Sequence, residues 1–178
     1  MHVFDYDEIK NQKMILRESR EGEEIQTLDE VKRKIPAGSI VIEDGEKRLI
    51  DLCGVMGGFL SHTKSISKNV LLFIQTYDPV RIRKTCQATS FRTDAAGLFE
   101  KWVDPEGIPN ALSRALEIIK EEIKPEKIED VIDICPHPIQ PKTVICPLEK
   151  LYAYAGEKID EKEAAEEGEI AKEGEIMS

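Results

Sequence analysis

Two stretches hold residue types at spacings that could do chemistry. The first is "CPHPIQPKTVIC", which brings Cys135, His137 and Cys146 into one short segment and would suggest metal ligation. Zinc sites characteristically use paired Cys-x-x-Cys or His spacings, and neither occurs here, so no metal is expected. The second is "DLCGVMGGFL", residues 51–60, whose Gly57-Gly58 pair reads as a tight turn between two apolar runs. Glycine lets a backbone approach a ligand closely or adopt positive φ, so the loop could line a pocket, although most such pairs are only turns. "RIRK" (Arg81, Arg83, Lys84) offers positive charge for phosphate or a solvated helix face, and Thr93-Asp94 offers a helix cap.

These residues are carried by a chain of 178 residues, enough for one compact domain and a small appendage. No apolar run approaches the roughly 20 residues of a membrane span, and "MHVFDYDEIK" lacks the features of a secretory signal, so a cytoplasmic protein without membrane contact is expected. Four cysteines in such a chain read as reduced thiols. The formal charge of −10 is uneven: residues 157–178 hold nine acidic side chains against three lysines and account for −6 of it. The remainder is mildly acidic, which argues against a protein whose main business is gripping phosphates without excluding RNA.

β-rich runs at "KMILRE", "SIVIED", "RLIDLCG" and "NVLLFIQ" predict four strands, separated by turn residues. "PVRIRKTCQAT" predicts a helix with Asp78 as N-cap and Pro79 at its first position, followed by a short helix in "DAAGLFEKW". Ile108, Ala111, Leu112, Ala115, Ile118 and Ile119 recur at helical spacing, predicting a third helix with one face on the sheet. "IEDVIDIC" and "KTVIC" read as further strands, and "LEKLYAYAG" as a helix closed by Gly156. Residues 163–178 are expected to be an acidic, disordered tail. Strands first and helices later imply an α+β fold, a mixed β-sheet packed with helices.

"MHVFDYDEI", "EGEEIQTLDE", "IVIEDG", "GVMGG", "NVLL", "YDPVRIRKT", "RTDAAGLFEKWVDP" and "ALSRAL" occur in that order. The ordered set resembles the tRNA-editing domain of the beta subunit of bacterial phenylalanine-tRNA ligase, over about residues 1–120. A weaker echo of the next domain's opening lies in "KTVICPLEKLYAYAGEKID". The resemblance implies a partial editing domain over 1–125, its closing strand and the start of the following domain over 126–162, and the tail beyond. It implies a hydrolytic site that removes tyrosine wrongly attached to phenylalanine tRNA, with that tRNA, an aromatic amino acid ester and the synthetase alpha subunit as partners. No cofactor is implied on this chain, because ATP and Mg²⁺ belong to activation on the alpha subunit.

Residue by residue, His2 matches the histidine of the family's "HAFD" stretch, and Thr93 and Ala95 match its "TxA" pair. Gly54 and Gly57 match the loop forming part of the amino-acid pocket. The resemblance thus makes His2 and Thr93 catalytic candidates and Gly54, Gly57, Phe73 and Ala95 pocket candidates. Phe73 stands where the family has a glutamate that accepts the tyrosine phenol proton. A ring cannot accept that proton, so impaired editing is expected, with Gln75 a substitute only if the strand register differs by two residues. Met1-His2 matches the interior of the family's "PMHAFD" stretch, which implies a fragment of a longer chain. A non-catalytic RNA- or subunit-binding module is the alternative.

Overall fold

The computed structural model describes residues 1–135, 143–145, 147–156, 170–171 and 175–177. They fall into two compact units, Met1–Glu126 and Lys127–Ser178. Strands of the first unit are β1 (His2–Asp5), β2 (Met14–Glu18), β3 (Glu24–Gln26), β4 (Lys32–Lys34), β5 (Ile40–Asp44), β6 (Leu49–Leu52), β7 (Met56–Gly57) and β8 (Val70–Phe73). Its helices are α1 (Pro79–Thr89), α2 (Asp94–Phe99) and α3 (Ile108–Glu122). The second unit contains β9 (Thr143–Ile145), α4 (Leu148–Ala155), β10 (Ile170–Ala171) and β11 (Glu175–Met177). The fold is α+β.

In the first unit an antiparallel sheet in the order β2-β5-β6-β7 stands between two apolar layers. Strand alternation places Val41 and Ile42 of β5 on opposite faces, and the two cores follow from that. On one face Val41, Leu52 and Val55 meet Ile82 and Cys86 of α1, Ala96 of α2 and Ile25 of the β3-β4 hairpin. On the other, Ile42, Ile50 and Cys53 meet Phe4 of β1, with Leu71 and Phe73 of β8 against them. β1 and β8 form a separate two-stranded ribbon whose register opposes His2 to Phe73 and Phe4 to Leu71.

The β5-β6 ladder is irregular at one point. Ile42 faces Asp51 and Glu43 faces Leu49, so Ile50 is skipped. A bulge of this kind re-aims a side chain. Because Asp51 opposes Ile42, it shares the face of the Phe4 core, although strict alternation from Ile50 would send it to the other.

The four predicted strands form, as do α1, capped by the Asp78 carboxylate accepting from Arg81 N at 2.9 Å, and α4, closed by Gly156 at φ 78°. Several expectations differ from the structure. The Gly57-Gly58 pair is not a turn: Met56–Gly57 is a strand, and the turn lies at Gly54, whose φ is 70°. α2 stops at Phe99, and Trp102, expected within that helix, has φ 68°. α3 forms but buries only Ala115, leaving Ile118 exposed, because the sheet face it was expected to cover is taken by α1, α2 and the β3-β4 hairpin. "IEDVIDIC" is not a strand; Val131, Ile132 and Ile134 are exposed and without a β partner. In the stretch expected to be a disordered tail, β10 pairs with β11 and β11 with β9, while residues 157–169, 172–174 and 178 lie outside the described residues.

Candidate active site

His2 opens β1 and lies opposite Phe73, so both side chains leave the ribbon on one face. The His2 ring makes an edge contact with Phe4, centroids 4.3 Å apart, and Phe4 meets Phe73 in the same manner at 6.0 Å. The imidazole rests on Gly57: a Cβ built there would stand 2.2 Å from His2 Cε1 and 2.9 Å from Nε2. Gly57 has no positive φ, so it is required for this close approach and not for backbone freedom. Burial, and secondarily the Met1 amino charge, hold the His2 pKa below its ordinary value, which keeps the ring neutral. Its Nε2 is buried without a hydrogen-bond partner. A neutral imidazole with a free nitrogen can accept a proton from water or orient one.

The other sequence candidates are distributed around this corner. Gly54 faces the opposite core, where a Cβ would stand 2.7 Å from Ile82 Cδ1 and 3.0 Å from Tyr77 Cδ2. Thr93 caps α2, its Oγ1 accepting from Ala96 N at 3.2 Å and donating to Val55 O at 2.7 Å. Its hydroxyl proton is therefore committed to the Gly54–Gly58 loop, and the residue ties that loop to α2. Ala95 is exposed in the first turn of α2. His2, Gly57 and Phe73 are brought together, whereas Gly54 faces the other core, Thr93 ties the loop to α2 from that side, and Ala95 makes no contact with the site.

Thr93→Val removes both bonds. Losing a cap hydroxyl of this type costs about 1 kcal/mol, up to about 2, so a lower urea midpoint with unchanged slope is expected, together with faster amide exchange across 54–58.

Sequence reasoning missed a buried polar string beside the site. Asp51 is buried, and it opposes Gly57 in the β6-β7 ladder, so its carboxyl emerges on the face that His2 covers. The Cys53 thiol donates to Asp51, and the Tyr77 hydroxyl donates to Cys53. The Gln75 side-chain amide donates to the Tyr77 hydroxyl oxygen. Burial pushes the Asp51 carboxyl up to about 7 and raises both the Cys53 thiol and the Tyr77 phenol. Cys53 is thus a thiol, not a nucleophilic thiolate. The available signal was an aspartate inside the apolar run "LIDL".

Elsewhere, the "RIRK" segment lies on α1. Arg81 is held by Glu18 at 2.8 Å and by the Gly38 carbonyl at 3.1 Å, so part of its charge is already used. Among the described residues, no group of three or more His, Cys, Asp or Glu side chains could hold a metal ion, and Cys53, Cys86 and Cys135 are free thiols. His137 and Cys146 lie outside the described residues. No described helix is long and apolar enough to cross a membrane.

A family model described as the B3/4 domain matches residues 1–124, the stretch that contains every element of this corner. The chain belongs to the B3/4 domain family. As a B3/4 domain it is similar to phenylalanine--tRNA ligase beta subunits. It is 35% identical to that of Carboxydothermus hydrogenoformans, over 93% of this chain and 21% of the relative. It is 34% identical to that of Dehalococcoides mccartyi, over 88% and 19%, and 36% to that of Syntrophus aciditrophicus, over 79% and 17%. The chain spans about a fifth of the length of these relatives.

Proposed function

We propose that this chain is the tRNA-editing portion of a phenylalanine-tRNA ligase beta subunit, a site for hydrolysis of an aromatic aminoacyl ester on phenylalanine tRNA. Its partners would be that tRNA and the synthetase alpha subunit, and no cofactor is assigned to the chain itself. The observation that carries the reading is the neutral His2 imidazole on Gly57, with a free buried nitrogen beside an aromatic wall of Phe4 and Phe73. His2 orients or deprotonates the attacking water. Thr93 acts by fixing the loop beneath it, and the half-buried Phe73, backed by the core residue Phe4, receives the side chain of the ester.

Phe73 opposes His2 directly, so position 73 presents a ring where the family places a carboxylate. Without an acceptor there, discrimination between tyrosine and phenylalanine falls toward the few kcal/mol that size alone provides. The chain should therefore deacylate tyrosyl-tRNA for phenylalanine slowly, and Phe73→Glu should raise the rate at least about tenfold, equivalent to about 1.4 kcal/mol. Initial rates on mischarged tRNA check this. Rapid, tyrosine-selective hydrolysis by the unmodified chain would contradict the role given to Phe73, and no hydrolysis by either chain would favour a binding module.

A further inference from the structure

The His2 ring rests on Gly57, which belongs to a strand of only two residues, so whatever grips that strand helps to set the ring. On one side β7 pairs with β6. On the other it meets the turn of the β3-β4 hairpin. Leu28 N donates to Gly57 O at 3.0 Å, and Thr27 forms an antiparallel bridge with Gly58. The shape of that turn therefore decides where the Gly57 carbonyl lies.

The turn is closed by Glu30 N donating to Thr27 O at 2.8 Å and Thr27 N donating to Val31 O at 3.1 Å. Glu30 is in the left-handed region at φ 63°, which residues with a side chain seldom adopt, so the turn needs support from outside its own main chain. One side chain supplies it. The Arg33 guanidinium donates to the two Asp29 carboxylate oxygens at 2.7 and 2.6 Å and to the hydroxyl of the fully buried Thr27. The Thr27 hydroxyl in turn donates to Asp29 at 2.5 Å.

The same guanidinium reaches the helix side of the loop. Its carbon stands 3.8 Å from the ring centroid of Phe91, in the connection between α1 and α2. Two residues further on, Thr93 donates to Val55 O at 2.7 Å. One planar group thus joins the hairpin tie at Gly57-Gly58 to the helix tie at Val55. Stacking and a two-pronged grip both require the flat fork of an arginine, which an ammonium lacks.

We propose that Arg33 is a positioning residue for His2, fixing, through Thr27, Asp29 and Phe91, the turn that holds the Gly57 carbonyl and with it the seat of the imidazole. Its consequence for catalysis rests on the editing reading above, because a reacting group displaced by about 1 Å loses up to about a hundredfold in rate. Arg33 acts through Gly57 and makes no bond to His2 itself.

The test compares Arg33→Lys with Arg48→Lys on the full 178-residue chain. Arg48 grips the buried Asp44 and the Glu8 carbonyl but makes no bond to the hairpin turn or to residues 54–58. The groups facing the His2 ring, Asp51 across Gly57 and the Met1 amino group, are the same in all the proteins compared. Both substitutions should lower the urea midpoint. Only Arg33→Lys should raise the His2 pKa toward 6.5, as the ring loosens from its buried seat, and, on the Phe73→Glu background, lower kcat for tyrosyl-tRNA deacylation about tenfold at unchanged KM. If Arg33→Lys does not fold, Phe91→Leu removes the stack, keeps the ion pair and should move the titration in the same direction. An unchanged His2 titration, or the same change in Arg48→Lys, would reduce Arg33 to a stabilising contact and overturn the proposal. So would a shifted titration with an unchanged kcat. Absence of deacylation by the Phe73→Glu chain itself would overturn the editing reading and the catalytic role drawn from it, while the titration still decides whether Arg33 sets the His2 ring.

Discussion

Gly57→Ala and Gly58→Ala, one residue apart in the chain, should fail in different ways. A Cβ at Gly57 meets the His2 ring, which is the movable end of a side chain at the start of a strand. The imidazole must swing off the strand, and the backbone need not follow. The fold should survive with little loss of midpoint, while the His2 ring resonances shift and its pKa rises toward 6.5 as the burial that depresses it is relieved. A Cβ at Gly58 instead meets Ile50 O at 2.5 Å and Ile50 C at 2.7 Å, which are main-chain atoms within the sheet. Relieving that overlap requires separating strands, at about 1–3 kcal/mol or more. Denaturation midpoints together with a histidine titration for the two variants separate these outcomes. An unchanged His2 titration in Gly57→Ala would place the ring elsewhere.

The second large effect is a pH dependence centred on Asp51. In the unfolded chain this carboxyl ionises near 3.8, whereas burial in the native state pushes it up to about 7. Between those values the native state binds a proton that the unfolded state does not. Its contribution to stability is therefore complete below about pH 4 and is lost as pH rises through about 7. The magnitude is on the order of a few kcal/mol. The groups facing Asp51 are the Cys53 thiol, the Tyr77 phenol, the Met1 amino group and the His2 imidazole over Gly57; neither raised group ionises in that window, whereas the imidazole, held below its ordinary value by burial, does, and its contribution is common to the two proteins compared below. Other carboxylates oppose the trend at lower pH: Glu23 and Asp44 are depressed by Arg17 and Arg48, so their contribution is lost on acidification. The difference between the unmodified chain and Asp51→Asn isolates the effect. Urea midpoints of the two should converge near pH 4 and diverge by pH 8, the variant being the more stable. Parallel curves would show that Asp51 is already ionised at pH 4.

The α+β class and the strands β2, β5, β6 and β8 were legible because their apolar alternation reports burial on a sheet face. α1 was legible to the residue, since Asp78-Pro79 combines a capping carboxylate with a ring suited to the first helical position. β3 and β4 were not legible. "EIQ" and "KRK" are three residues each and hold only one buried apolar side chain, Ile25, so pairing and not pattern makes them strands. The Gly57-Gly58 pair misled because glycine signals a turn and a close approach equally well; here both glycines serve approach, to His2 and to Ile50. Asp51 was hidden by the bulge, since its direction depends on a skipped residue that no alternation rule foresees. For the site, His2, Gly57 and Phe73 could be named from the resemblance, but that they share one face required the β1-β8 register. That register also bears on Gln75, which lies two residues beyond the position opposite His2 and nonetheless borders the polar string.

The claim that His2 on Gly57 is the reacting group of an ester-hydrolysing site is tested most directly by removing it where the rate is highest. The measurement is the initial rate of tyrosyl-tRNA deacylation by the Phe73→Glu chain, with and without a second substitution, His2→Ala. The expected result is a fall of about a hundredfold or more on losing the imidazole, the range of general acid–base catalysis, with the circular dichroism spectrum unchanged. Equal rates from the two proteins would contradict the assignment of His2 and, with it, the active site built around it.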